Sequence, residues 1–489
     1  MEKKNFYLTT TLPYVNAELH MGHALEFVRA DAIARYKKLI GYDVFFNTGT
    51  DEHGMKIYEK AKENNMDAQA FVDQNFLKFK DSLKAFGMSE DLHFIRTTDD
   101  RHIALAQEFW KRVYDNGYIY KKNYEAKYCV GCESEKTDSE LNDKGFCPDH
   151  NGIPLETISE ENYFFKYSEF TDKLLKFYEE NPNFIVPEFR YNEIKAFVAR
   201  GLQDFSISRL KSKMPWGIPV PGDSLHVMYV WFDALTNYIN TLDWPFDYSQ
   251  DKQNNESLFE RYWVNGNPTQ YCGKDNTRFQ GAMWQAMLIA AGFPNSHQII
   301  VNGFITGDGG VKMSKTLGNV INPREIVEEY GTDALRYFLL REISSFEDSP
   351  FTRERFLDAY NSGLANGLGN LSSRILTLSE KYLDSCPEIP ATSIPEDFFL
   401  QLEKFDIKGA CDLVWDRVTK LDKRIQETEP FKVVKVDLEK GKALISEMVL
   451  ELYTIARMLN PIMPETNEKL KVLIKANKKP ENPLFLRKD

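Results

Sequence analysis

The sequence predicts an α/β protein: a parallel sheet, broken by a small cysteine-bearing insertion and followed by an α-helical bundle. Three observations predict it. A strand, loop, helix, strand unit opens the chain; the character of the sequence changes over residues 121–160; and from about Thr352 onward the apolar spacing is almost wholly helical.

In chain order, residues 5–10 (Asn-Phe-Tyr-Leu-Thr-Thr) are rich in aromatic and β-branched types and run into a turn at Pro13, which reads as a strand entering a loop. Leu25, Val28, Ala32, Tyr36 and Leu39 then fall at helical spacing, and Gly41 ends that helix. Residues 43–47 (Asp-Val-Phe-Phe-Asn) read as a second buried strand, giving a unit of the kind that builds parallel sheets by right-handed crossovers. Over 121–160 cysteines and short polar turns replace periodicity, the mark of an inserted module. Strand and helix signals resume at 162–166, 226–231 and 297–301, and they predict that the interrupted sheet is then completed. In the helical half, the Pro-rich stretch 387–395 and the pair Glu429-Pro430 end helices. The boundaries expected are 1–118 and 226–325 for the two halves of the sheet domain, 119–225 for the insertion, 326–357 for a linker and 358–489 for the helical bundle.

Bulk properties narrow the function. A chain of 489 residues is too long for one core, and 42% hydrophobic with 27% charged residues excludes disordered and fibrous classes. A formal charge of -12 argues against coating nucleic acid by general electrostatics. Any RNA contact must be local, at the lysines of 312–315 or at Lys469, Lys471, Lys475, Lys478 and Lys479, although such runs equally suit a solvated helix face. The N-terminus lacks the features of a secretory signal and no apolar run is long enough to span a bilayer, so no membrane partner and a cytoplasmic place are expected. Three of the six cysteines crowd between Cys129 and Cys147, which suits metal ligation better than a disulfide framework.

Two short motifs suggest nucleotide chemistry. His20-Met-Gly-His23 stands where the first loop enters the first helix, so two imidazoles share a helical face beside free N–H groups that favour an anion. Gly22 leaves room for a base or ribose to approach the backbone. Lys312-Met-Ser-Lys-Thr316 follows the hinge-prone run Gly307-Asp-Gly-Gly310, and lysines on such a loop can close over a triphosphate. Taken singly, each motif is more often incidental. A separate pair, Cys129-Val-Gly-Cys132 and Cys147-Pro-Asp-His150, gives two chelating knuckles that can close a tetrahedral S₃N site, for which Zn²⁺ in a structural role is favoured.

In this order, with α/β pattern between them, the two motifs resemble the HIGH and KMSKS signatures of class I aminoacyl-tRNA synthetases, whose catalytic domain is Rossmann-like. Residues 10–16 (Thr-Thr-Leu-Pro-Tyr-Val-Asn), 48–54 (Thr-Gly-Thr-Asp-Glu-His-Gly) and 229–238 (Tyr-Val-Trp-Phe-Asp-Ala-Leu-Thr-Asn-Tyr) are similar to those of methionyl-tRNA synthetases, and the resemblance runs over nearly the whole chain. It implies activation of L-methionine with ATP and Mg²⁺, then transfer to the 3′ end of tRNA(Met). It gives catalysis to His20, Gly22, His23, Lys312 and Lys315, and ATP contacts to His20, His23, Gly273, Asp275, Lys312, Ser314 and Lys315. Methionine would meet Asp51 through its ammonium, and Leu12, Tyr14, Trp231, Tyr238, Asn276 and Gln280 around its side chain. One zinc knuckle is implied at Cys129, Cys132, Cys147 and His150, and 326–357 becomes a segment contacting the tRNA stem.

The chain departs from the family where many members have an aliphatic residue in place of Asn276, a histidine in place of Gln280, and in some a proline in place of Leu235. Gln280 can still donate a hydrogen bond to a thioether. Asn370 and Arg374 resemble base-reading residues of the anticodon-binding helix, and Phe431 stands where a stacking tryptophan is common. The sequence ends without the further C-terminal domain of some relatives, so a monomer is expected. Three rivals stay open: a synthetase for leucine, isoleucine or valine, which would need room for an editing insertion; a non-catalytic tRNA-binding relative; and a small-molecule nucleotidyltransferase.

Overall fold

A computed structural model describes residues 4–132, 134–136, 138–244, 256–311, 321–390 and 394–489. In chain order the strands are β1 (Asn5–Thr9), β2 (Asp43–Thr50), β3 (His93–Arg96), β4 (Ile119–Cys129), β5 (Ser134–Lys136), β6 (Glu156–Phe165), β7 (Ile185–Val186), β8 (Phe205–Ser206), β9 (Ser208–Leu210), β10 (Pro219–Val220), β11 (Asp223–Met228), β12 (Thr269–Gly273), β13 (Gln298–Asn302), β14 (Ile305–Thr306) and β15 (Ser349–Pro350). Six of them form a parallel sheet in the order β3-β2-β1-β12-β13-β7. The first crossover is the helix α1 (Met21–Leu39), as its spacing predicts.

Alternation along the strands divides the core between the two faces of this sheet. Phe6, Leu8, Phe46, Tyr271 and Ile300 pack with α1 on one side, whereas Tyr7, Phe45, Cys272, Ile299 and Val301 face the other. Both faces are apolar, as a parallel sheet covered by helices on each side requires.

Two of the strand signals do not complete this sheet. Residues 162–165 belong to β6, which runs antiparallel to β4 from Ile119↔Phe165 to Tyr128↔Glu156. Within 226–231, only the end of β11 is strand, in a small antiparallel sheet with β9 and β10, and Val230–Ala234 is a helix. A period of two marks a strand but does not distinguish a parallel from an antiparallel partner. The parallel sheet is completed instead by β12 and β13 and by the two-residue β7. The insertion is also more regular than its turns suggest, because the long antiparallel β4–β6 pair carries the cysteine knuckle at its tip.

The C-terminal half is helical, and its core is continuous with the α1 side of the sheet. Buried arginines make the join. Arg336 pairs with Asp31 of α1 at 2.8 Å and donates to the carbonyls of Ile462 and Pro461 at 2.9 and 3.1 Å. Arg29 of α1 donates to Asn302 at the end of β13 and to the carbonyl of Ser345, both at 2.9 Å. Thus α1 is held rigidly against both halves, and its N-terminus is a fixed point. Among the described residues no helix is long and apolar enough to cross a membrane.

Candidate active site and metal centre

The strand order reverses direction between β1 and β12, so the loops leaving these two strands diverge at their C-terminal ends, the place where open parallel sheets form a ligand crevice. His20 is the N-cap of α1, and its Nδ1 accepts from the Gly22 N–H at 3.1 Å. The His20 N–H in turn donates to Nδ1 of His23 at 3.3 Å, so the two histidines form a reciprocal capping box. Their rings stack with centroids 3.7 Å apart and an interplanar angle of 17°. Because a backbone N–H can only donate, both Nδ1 atoms hold lone pairs; both rings are neutral with the proton on Nε2. Burial, reinforced by the neighbouring His20, holds His23 well below the usual imidazole range. A Cβ on Gly22 would lie 3.0 Å from the His20 ring, so the glycine also lets that ring fold back onto its own helix.

On the facing lip, Gly273 ends β12 and exposed Asp275 lies in the following turn, Lys274–Asn276. Lys274 is pinned to Asp348 at 2.6 Å, and Asp348 accepts from the Phe304 N–H at 2.9 Å. Between the lips lies a residue the sequence reading missed. Glu26, on the same face of α1 as His23, is buried and accepts from the Thr11 N–H at 2.7 Å. Burial pushes its carboxyl up to about 8 against the hydrogen bonds of Thr11, and nearby Asp275 adds to the effect. An acidic residue inside an otherwise apolar helix face, three positions after His23, was the available signal.

The residues expected around an amino acid are linked by contact. Tyr14 forms an isolated parallel bridge with Asp51, and the Asp51 N–H donates to the Pro13 carbonyl at 3.0 Å, which places Leu12 and Tyr14 beside the buried Asp51. Gln280 is fully buried; its amide nitrogen donates to Thr11 Oγ1 at 3.0 Å and its oxygen accepts from Gln270 at 3.4 Å. Gln270 also accepts from Ser296 and lies within hydrogen-bond reach of the buried Tyr238. Trp231 stacks on Phe279 at 3.9 Å with rings 2° from parallel. Asn276 is partly buried at the same turn. Gln270, Thr11 and Phe279 were not anticipated, since their partners are distant in sequence.

Lys312, Ser314 and Lys315 lie outside the described residues. The flanks of their segment are defined. Gly309 and Gly310 adopt φ of 63° and 77°, values that favour glycine, just before it. Just after it, Asn322 caps the helix Pro323–Tyr330, and its amide donates to Glu18 at 3.1 Å, two residues from His20.

Cys129, Cys132, Cys147 and His150 converge, with all four donor atoms within 4.8 Å of one another. Nδ1 of His150 lies 3.7, 3.2 and 4.0 Å from the sulfurs of Cys129, Cys132 and Cys147, and the sulfurs of Cys132 and Cys147 are 3.4 Å apart. Bonds of about 2.3 Å to sulfur and about 2.0 Å to nitrogen in a tetrahedron need donor separations of roughly this size. A Cβ on Gly131 would stand 2.3 Å from the His150 ring, so only glycine lets that ligand close the site.

In the helical half, Asn370 is exposed at the start of the helix Asn370–Tyr382, and Arg374 one turn later pairs with Asp422 at 2.5 Å. Phe431 is 38% exposed on the helix Pro430–Val436, which begins after a left-handed Glu429.

Comparison with known proteins agrees with this geometry. The family model for tRNA synthetases class I (M) matches residues 6–156 and 151–376. Methionine–tRNA ligases of Caldanaerobacter subterraneus and Clostridium acetobutylicum are each 42% identical over 483 and 486 residues, covering 96% of this chain and 73% of theirs. The fold is similar to that of Mycobacterium tuberculosis methionyl-tRNA synthetase in complex with methionyl-adenylate, with a TM-score of 0.86, 35% identity, and coverage of 96% of this chain and 93% of that one.

Proposed function

From the premise that this chain belongs to the class I tRNA synthetases of the methionine family, we propose the following division of labour for a two-step ligase. The enzyme activates methionine with ATP to methionyl-adenylate and passes the aminoacyl group to the 3′ end of tRNA(Met). The observation that carries this reading is the histidine capping box at the sheet's reversal point, facing the Gly273–Asp275 lip across a crevice.

The methionine carboxylate attacks the α-phosphorus of ATP in line, and the bond to pyrophosphate breaks. The Nε2–H groups of His20 and His23, with the positive end of the α1 dipole, stabilise the charge on the oxygens of that phosphorus in the transition state. Gly273 and Asp275 hold the adenosine, and Lys312, Ser314 and Lys315 take the departing pyrophosphate. Mg²⁺ bound to the nucleotide supplies further neutralisation. Asp51 holds the ammonium, while Leu12, Tyr14, Trp231, Tyr238, Asn276 and Gln280 enclose the thioether. The terminal ribose hydroxyl of the tRNA then displaces AMP from the adenylate, so no covalent enzyme intermediate is needed.

Cys129, Cys132, Cys147 and His150 hold a structural Zn²⁺, as three soft thiolates and one imidazole favour. Residues 1–118 and 226–325 make the catalytic domain, 119–225 the insertion, 326–357 the stem contact, and 358–489 the anticodon domain, in which Asn370, Arg374 and Phe431 read the anticodon loop. Cysteines outside any disulfide and a tRNA substrate suit the cytoplasm. Methionylation of tRNA(Met) by the purified chain, compared with the same tRNA carrying an altered anticodon, tests the whole assignment. Efficient charging of the first alone is expected; equal charging of both would remove the anticodon role.

A further inference from the structure

A buried polar group behind the proposed amino-acid pocket is used by neither the nucleotide site nor the metal centre. Asp233, only 1% exposed in the helix Val230–Ala234, meets Nδ1 of His53 with one carboxylate oxygen and Nε2 of His102 with the other, both at 2.7 Å. Both histidines are themselves buried.

The surroundings fix how this group is protonated. The Trp244 indole N–H can only donate, and it donates to Oδ1 of Asn240 at 2.8 Å. The amide nitrogen of Asn240 therefore faces His102, 3.2 Å from its Nδ1. That Nδ1 accepts, so the Nε2–H of His102 points at Asp233. His53 donates to the other oxygen through Nδ1–H. The His53 ring lies 5.5 Å from that of Trp216, whose N–H donates to the Glu52 carbonyl at 2.6 Å. The segment 51–53 is thus anchored on both sides.

Position in the chain gives the group its meaning. His53 is two residues after Asp51, and Asp233 is two residues after Trp231. One carboxylate therefore joins the segment proposed to hold the substrate ammonium to the helix proposed to wall its side chain. A buried ionic group seldom stabilises a fold more than apolar packing of the same volume would, so a geometric role accounts better for its presence. We infer that Asp233 is a positioning residue: by accepting from His53 and His102 it sets the separation of Asp51 and Trp231, and with it the affinity for the free amino acid, without touching substrate. This rests on the reading of Asp51 and Trp231 as amino-acid contacts.

The test is ATP–pyrophosphate exchange with methionine, comparing the full chain with three variants. His53→Leu removes the bond to Asp233, whereas His53→Asn keeps a donor near the place of Nδ1. Asp233→Asn leaves one acceptor where there were two. His53→Leu and Asp233→Asn are expected to raise KM for methionine about tenfold or more, with KM for ATP within about twofold, and His53→Asn to recover most of the loss. A variant that lowers kcat in step with its folded fraction, read by circular dichroism, while leaving KM for methionine unchanged would overturn the inference. So would His53→Asn behaving like His53→Leu, because the imidazole itself would then be required. If one variant fails to fold, the other carries the same comparison. Absence of methionine exchange in the unaltered chain would count against the function, and an unchanged KM in the variants against Asp233 alone.

Discussion

The side-chain amide of Asn322 donates to the carboxylate of Glu18 at 3.1 Å, across 304 residues of sequence. The segment that follows the lysine signature is thereby tied to the loop that leads into the histidine signature. The lysines of that signature are the groups proposed to take the departing pyrophosphate. Lys315→Ala should cut methionine-dependent pyrophosphate exchange about 100-fold or more, chiefly in kcat, as removal of one charge-stabilising group from a closed site does. Unchanged turnover would place the lysines away from the reaction.

The neutral histidine pair predicts a sign for the pH dependence of stability. His23 is held well below its usual value in the fold, whereas the unfolded chain takes up that proton near about pH 6.5. The unfolded state binds more protons in this window, so the contribution is complete above about pH 6.5 and is lost as pH falls below it. His23→Asn removes the titration and keeps an acceptor for the His20 N–H. Its Tm should therefore fall less than that of the unaltered chain between about pH 7 and 5.5, while its exchange rate drops about 100-fold. Parallel melting curves would contradict the assignment.

At the knuckle, Gly131→Ala pushes a methyl group into the ring of His150. Zinc affinity, measured by competition with a chromogenic chelator, should fall tenfold or more, roughly the loss expected when a ligand is displaced from its orientation. Cys147→Ser should lose the metal outright, and one equivalent of zinc should be released per unaltered chain. Full zinc content in Gly131→Ala would show that His150 is not a ligand.

Both ends of the Gln280 side-chain amide are taken, by Thr11 and Gln270. Gln280→Leu leaves the buried Gln270 and the partly buried Thr11 without it, at a cost of about 1–3 kcal/mol to the fold. A lower Tm is expected together with a KM for methionine raised about tenfold and little change in KM for ATP. If KM for methionine stays constant, Gln280 belongs to the scaffold and not to the pocket.

The parts of this molecule legible in the sequence are those written in local spacing. The three-residue interval of His20 and His23 is the interval of a capping box, and the Cys-x-x-Cys and Cys-x-x-His intervals are those of a chelate. The helix behind His20 declared itself by its apolar period. The parts that were not legible depend on partners far apart in the chain. In the sequence Glu26 is one acidic residue on a helix and Asp233 one residue of an aromatic stretch; only the fold brings Thr11 and Asp275 to the first, and His53 and His102 to the second. The two-residue β7 exists only because β13 lies beside it, and no local pattern announces such a strand.

Pyrophosphate exchange by the purified chain against a panel of free amino acids reads directly whether this site activates methionine. Methionine is expected to support label exchange into ATP, and leucine, isoleucine and valine are not. Exchange driven by one of those three in place of methionine, or none with methionine at saturating ATP and magnesium, would contradict that activity.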